Sequence, residues 1–241
     1  MIPVFLRAFA PRLLLVGLAA LMFYLLEPGF HLHEEDAGAE GSGLDLEPLG
    51  IAATLANLAG LGVLILLAGF ISADRRRGYY RMYFSHPTRP LVFYGVRWVL
   101  GVLLATASAA VFLVVGQWAA WGEFQGGWSG LLLALLAAVA YGGLIAVLSA
   151  VLPFGDAWAA IGLFFFGLFW MQAANLQILE PLPVALRQLV TLLLPPQIAM
   201  QDVYDGLLRG EVAWDGVGFT LGYGVFWLTL AGLLVRLREW P

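Results

Sequence analysis

The stretch SADRRRGYYRMYFSHPTRP, Ser72 to Pro90, holds five of the chain's twelve basic residues and separates two strongly apolar runs. About 20 apolar residues cross the ~30 Å hydrocarbon layer as a helix, since only internally bonded backbone survives there. Both flanking runs are long enough, so Ser72 to Pro90 reads as the polar connection between two membrane spans. Working outward, six stretches qualify as spans: 12–30, 49–73, 91–119, 128–152, 157–179 and 216–236. The composition agrees, because 61% hydrophobic and 12% charged residues lie far from soluble averages. The expectation is one all-α membrane domain over residues 1–241.

Arginine fixes the orientation, because basic residues near spans collect on the cytoplasmic side. With both termini inside, Arg7, Arg12, Arg75, Arg76, Arg77, Arg81, Arg89, Arg97, Arg236 and Arg238 are cytoplasmic, and only Arg187 and Arg209 fall outside. Acidic residues divide the opposite way: Asp74, Asp156 and Glu239 are inside, and the other thirteen of sixteen outside. Trp118, Trp121 and Trp128 flank the loop after the third span and mark the outer interface. Arg97 is placed to snorkel at the inner edge. A multi-pass protein of the inner (cytoplasmic) membrane is expected.

Between spans five and six, EPLPVALRQLVTLLLPPQIAMQDVYDGLLRGEVAWD (Glu180 to Asp215) is partly apolar but broken by Pro181, Pro183, Pro195 and Pro196. It reads as a broken helical hairpin on the outer side, too interrupted to span. Small residues at spacing four, namely Ala134, Ala138, Gly142, Ala146 and Ala150 in span four and Gly101, Ala105 and Ala109 in span three, predict close helix seams. Asn57, Gln172, Asn175 and Gln177 are the candidate lining of a translocation route, weighed against ordinary interhelical hydrogen bonding, as is Gln117 at the end of span three.

Several chemistries are excluded. The chain has no cysteine, so it makes neither disulfides nor thiolate metal sites. All twelve basic residues are arginine, which removes a Walker A lysine, a Schiff-base lysine and a lysine base, so the chain is not an ATPase by itself. GWSG, Gly127 to Gly130, has the G-x-S-G form of rhomboid intramembrane proteases, but His31, His33 and His86 all lie where no later span can supply the base that serine needs. His31 and His33 in HLHEED form a weak candidate divalent-metal pair; a solvated acidic loop is the favoured reading, and no metal is expected.

As a helix, YYRMYFSH after Gly78 would put Tyr79, Met82, Tyr83 and His86 on one face and Arg77 and Arg81 on another. Three readings stand: a basic loop that fixes topology and touches anionic lipid, an amphipathic surface helix, or a docking element for a cytosolic partner.

The spacing of Asp74, Gly78, Pro87, Arg89 and Arg97 resembles the first cytoplasmic loop of type-2 ATP-binding-cassette (ABC) transporter permeases. The tail from Pro195, with its LL-x-G step, Trp214 and a last span ending in arginines, is similar to that family too, as are the six spans and the broken outer hairpin. Asp74 stands where the family usually has glutamate, and the family's N-terminal amphipathic helix is shortened to Met1–Arg12.

The resemblance implies a non-catalytic permease subunit of an exporter. Residues Asp74, Arg75, Arg77, Gly78, Tyr79, Arg81, Met82, Tyr83, His86, Pro87 and Arg89 would form a coupling helix docked on a separate ABC ATP-binding subunit. Phe154 and Asp156 would make a second cytoplasmic contact. A second permease copy or a related permease would complete the assembly, with ATP and Mg on the ATPase, no cofactor bound directly and no nucleic acid involved. The alternative is a membrane assembly or scaffold factor that recruits a cytosolic protein through the same arginines; an intramembrane enzyme ranks third.

Overall fold

A computed structural model describes residues 2–26, 30, 51–78 and 89–239. Among the described residues all regular structure is helical: α1 (Ile2–Leu26), α2 (Ala52–Leu67), α3 (Ser72–Arg76), α4 (Pro90–Trp121), α5 (Gly130–Val151), α6 (Asp156–Asn175), α7 (Val184–Leu193), α8 (Gln197–Leu208) and α9 (Trp214–Glu239). Six of the helical stretches are long and apolar enough to cross a membrane, as expected: 5–26, 52–76, 90–121, 130–151, 156–175 and 214–237.

The helix ends follow local chemistry. Arg89 is extended (ψ 121°), as the residue before a proline prefers, and Pro90 then occupies the first turn, where its missing N–H is not needed. At the other end Gly122 takes a left-handed conformation (φ 76°) and donates its N–H to the Trp118 carbonyl at 3.0 Å. The 32 residues of α4 reach about 48 Å, longer than the hydrocarbon layer. Trp118 and Trp128, flanking the loop beyond it, are exposed.

The central element is α5, which packs most extensively on α2 and α9. It is apolar all round, the pattern of a helix enclosed by others. Its expected ridge is buried throughout: Ala134, Ala138, Ala146 and Ala150 are fully enclosed, and Gly142 lies where an added Cβ would sit 2.9 Å from the Trp98 indole nitrogen. A second seam was not foreseen. Gly143 meets the Gly224 carbonyl of α9 backbone to backbone, and a Cβ on Gly224 would come within 2.7 Å of the Val139 oxygen. The span-three ridge packs on α2, with Gly101 against the Leu67 side chain and Ala105 beside Gly62.

Three boundaries differ from expectation. Helix α1 starts at Ile2 rather than near residue 12 and runs through Pro11, because Phe5 and Phe9 are buried and Phe5 packs edge-to-face on Phe93 of α4 at 5.0 Å. The second span is not one helix: α2 stops at Leu67, the chain turns through Gly69 in a left-handed conformation (φ 67°), and α3 resumes at Ser72. Helix α6 ends at Asn175, short of residue 179, for a reason given below.

The broken hairpin is present as α7 and α8, separated at Leu194–Pro196. Their 10 and 12 residues reach about 15 and 18 Å, too short to cross. Helix α8 buries Gln197, Met200, Val203 and Gly206, whereas α7 buries none of its residues. Apolar side chains of α1, α6 and α9, such as Leu18, Phe169 and Phe226, face outward.

Candidate functional site

The break between α2 and α3 leaves backbone groups without helical partners in a buried part of the molecule. Such groups must be satisfied from elsewhere. Each of the following finds a side chain from another helix. Asp156, at the start of α6, accepts from the Gly69 N–H and from the Ser72 hydroxyl, both at 3.0 Å through Oδ2. Ser149 of α5 accepts at Oγ from the Ile71 and Ser72 N–H groups, again both at 3.0 Å. Arg97 of α4 donates Nη1 to the Phe70 carbonyl at 3.0 Å and to Asp74 Oδ2 at 3.2 Å, and its guanidinium lies 5.9 Å from the centroid of the Phe70 ring. Arg12 of α1 donates to the Leu66 carbonyl. In the reverse direction, Arg75 of α3 reaches out to the Ala150 carbonyl at 2.6 Å.

The break is thus tied to α1, α4, α5 and α6. Ser149, Asp156, Asp74 and Arg97 are all buried, at 0, 4, 8 and 9% exposure. Two expectations change here. Arg97 does not snorkel outward: its head group turns inward because the Phe70 carbonyl and the Asp74 carboxylate are both waiting for a donor. Asp74 and Asp156, expected at the partner contacts, are buried, with Oδ2 of each bonded inside the knot. Beyond it, Arg76, Arg77 and Gly78 are exposed, as are Arg89 on the other side of the loop and Phe154 (69%) in the α5–α6 connection. Tyr79, Arg81, Met82, Tyr83, His86 and Pro87 lie outside the described residues, as do His31 and His33.

A second polar region sits at the other end of α6, whose 20 residues separate Asp156 from Asn175 by roughly 28 Å. Here a cleft of about 210 Å³ opens between α2, α6 and α8, with Leu133 of α5 at its back. It brings together three of the four expected route residues, Asn57, Gln172 and Asn175, and adds Gln197, Gln201 and Tyr204 from α8. Asn175 Nδ2 donates to Gln201 Oε1 at 3.1 Å, and Gln197 Nε2 donates to the buried Tyr141 hydroxyl. Neither the Asn57 nor the Gln172 side chain makes a hydrogen bond with a described residue. Among the described residues, no charged side chain lines this cleft. Its apolar walls are Leu133, Leu168, Met171 and Met200.

Gln177, the fourth expected route residue, is exposed and elsewhere, because it closes α6. It adopts the left-handed conformation (φ 59°), its N–H bonds the Ala174 carbonyl and the Ile178 N–H bonds the Ala173 carbonyl, each at 3.0 Å. That pair of bonds is the Schellman ending of a helix, usually made by glycine. Gln117 is likewise structural: it donates Nε2 to the Gly126 carbonyl and accepts from the Gln125 N–H, bracing the α4–α5 loop.

Sequence reasoning missed Ser72 and Ser149 in the knot and Gln197, Gln201 and Tyr204 in the cleft. The first two carry no signal, since Ser149 meets backbone amides 77 and 78 residues away and the Ser72 hydroxyl meets Asp156, 84 residues away. The cleft residues do carry one, a polar stripe at i, i+4 and i+7 on α8.

A larger groove of about 610 Å³ runs between α1 and α4, but its lining is almost wholly apolar, and the Ser108 hydroxyl within it is spent on the Leu104 carbonyl. Among the described residues no group of three or more His, Cys, Asp or Glu side chains is placed to hold a metal ion. No protein-family model matches the chain, and no match was found among curated proteins or solved structures.

Proposed function

We propose that the chain is the membrane-spanning, non-catalytic permease subunit of an ABC exporter, moving its substrate with ATP hydrolysed on a separate nucleotide-binding subunit. Both termini and the arginine segment face the cytoplasm, and the ATPase docks on the segment that follows Gly78. The observation that carries this reading is the knot. The chain enters the arginine segment from α3, and α3, the turn before it and the last turn of α2 are together bonded to four of the other helices. A push on the segment is therefore delivered to α1, α4, α5 and α6 together rather than absorbed by a slack loop. A second copy, or a related permease, pairs with this one through outward-facing apolar surface.

The test is co-purification of the chain with its cytosolic partner in lipid, followed by an ATPase assay. The account expects nucleotide hydrolysis that responds to the permease and is uncoupled by the triple change Tyr79→Asp, Met82→Asp and Tyr83→Asp, with insertion intact. Unaltered coupling in that variant overturns docking at this segment. A captured partner with no nucleotide hydrolysis favours the scaffold reading instead.

A further inference from the structure

From the composition of the cleft between α2, α6 and α8, we infer that it binds an uncharged, hydroxyl-rich group, a sugar carried on a lipid or free in solution. Asn57, Gln172, Asn175, Gln197 and Gln201 bring five carboxamides to one small space. A carboxamide offers two donors and an acceptor, and a hydroxyl is donor and acceptor at once, so vicinal hydroxyls match a row of amides without leaving a lone pair or proton unused. Two of the five, Asn57 and Gln172, are uncommitted to any described residue and open to the cleft.

The excluded ligands matter as much. With no arginine among the described lining residues, a phosphate or carboxylate would lose its hydration and gain no counter-charge from them; with no carboxylate among them, an ammonium group would fare equally badly. The ring of Tyr204 and the side chains of Met171 and Met200 supply an apolar wall for the C–H face of a sugar. At about 210 Å³ the cleft is smaller than the ~300–1,000 Å³ of sites that enclose drug-sized ligands, so it takes a head group and not an elongated molecule. Two of the stretches that border it, 52–76 and 156–175, are long and apolar enough to span, which leaves attached acyl chains a path into the lipid.

This deepens the permease reading by naming a substrate class, yet the binding it describes can be measured without any ATPase. The full chain is placed in phosphatidylcholine nanodiscs that also contain diglucosyl diacylglycerol or, separately, phosphatidylglycerol, and lipid retention is read by native mass spectrometry. The wild type should retain the glucosyl lipid selectively. The pair Asn57→Leu and Gln172→Leu should lower retention about tenfold, the loss of two hydrogen bonds of ordinary net strength. Gln172→Glu, a change at an exposed side chain, should lower it as well, whereas Gln177→Leu, an amide outside the cleft, should leave it unchanged.

Competition with free maltose assigns the source: displacement points to a soluble sugar, and persistence to a lipid head group, both within the inference. Equal retention of phosphatidylglycerol, or wild-type retention by both cleft variants, overturns it. Binding without ATP-driven movement rejects the permease reading alone. ATPase coupling without binding rejects only this inference.

Discussion

Around Gly69, the side chains of Arg97, Ser149 and Asp156 are buried and aim at backbone atoms of the α2–α3 break; around the cleft, carboxamides from α2, α6 and α8 stand along an open space with two of them, Asn57 and Gln172, uncommitted. Both regions are polar patches in an apolar bundle, but they treat hydrogen-bonding capacity oppositely. The knot spends it on keeping a broken helix intact, so its residues can be altered only at the expense of the fold. The cleft holds it in reserve. Polar content alone does not mark a binding site in such a chain: the presence of uncommitted groups does.

Substitutions can break this contrast. The largest effect is expected in the knot from Arg97→Met, which strands the Asp74 carboxylate in a buried setting and should destabilise the fold by about 3–5 kcal/mol. Thermal unfolding in lipid nanodiscs reads this, and adding Asp74→Leu should restore most of the loss, because removing both partners leaves no charge unpaired. Ser149→Ala comes next. It deprives the Ile71 and Ser72 amides of their shared acceptor and should cost about 1–3 kcal/mol in the same assay.

In the cleft, Asn175→Leu removes a single exposed hydrogen bond to Gln201 and should cost about 1 kcal/mol or less, while still reducing glucosyl-lipid retention. If that change destabilises as much as Ser149→Ala does, the two regions do not differ in kind. The smallest effect has the opposite sign. Gln177→Gly relieves a left-handed backbone that a side chain disfavours, and should raise stability by about 1 kcal/mol with no change in binding.

The spans were legible in the sequence because length and apolarity suffice to define them, and the α7–α8 hairpin because Pro195 and Pro196 interrupt an otherwise helical pattern. The small-residue ridges of α4 and α5 were legible for a similar reason, since close approach in lipid needs small side chains. The break at Gly69 was not. Apolar residues on both sides, Leu66 and Leu67 before it and Phe70 and Ile71 after it, look like one continuous span, and what permits the interruption is a set of side chains as much as 87 residues distant.

For the same reason the buried bonds of Asp74 and Asp156 were not foreseen: a carboxylate near a span end gives no sign that Arg97 or the Gly69 amide awaits it. The cleft was half legible. Asn57, Gln172 and Asn175 stood out as polar residues in apolar spans, whereas Gln197, Gln201 and Tyr204 lay in a segment whose prolines drew the reading toward its breaks.

The proposed permease requires a two-sided placement: the exposed arginines past α3 on the cytoplasmic face and the amide cleft toward the other. The chain's lack of cysteine gives a background-free assay: single changes Arg76→Cys, Arg77→Cys, Gln172→Cys and Gln201→Cys, probed in intact cells with a membrane-impermeant maleimide. The account predicts labelling at 172 and 201 from outside, and at 76 and 77 only after permeabilisation. Labelling of 76 and 77 in intact cells would contradict it.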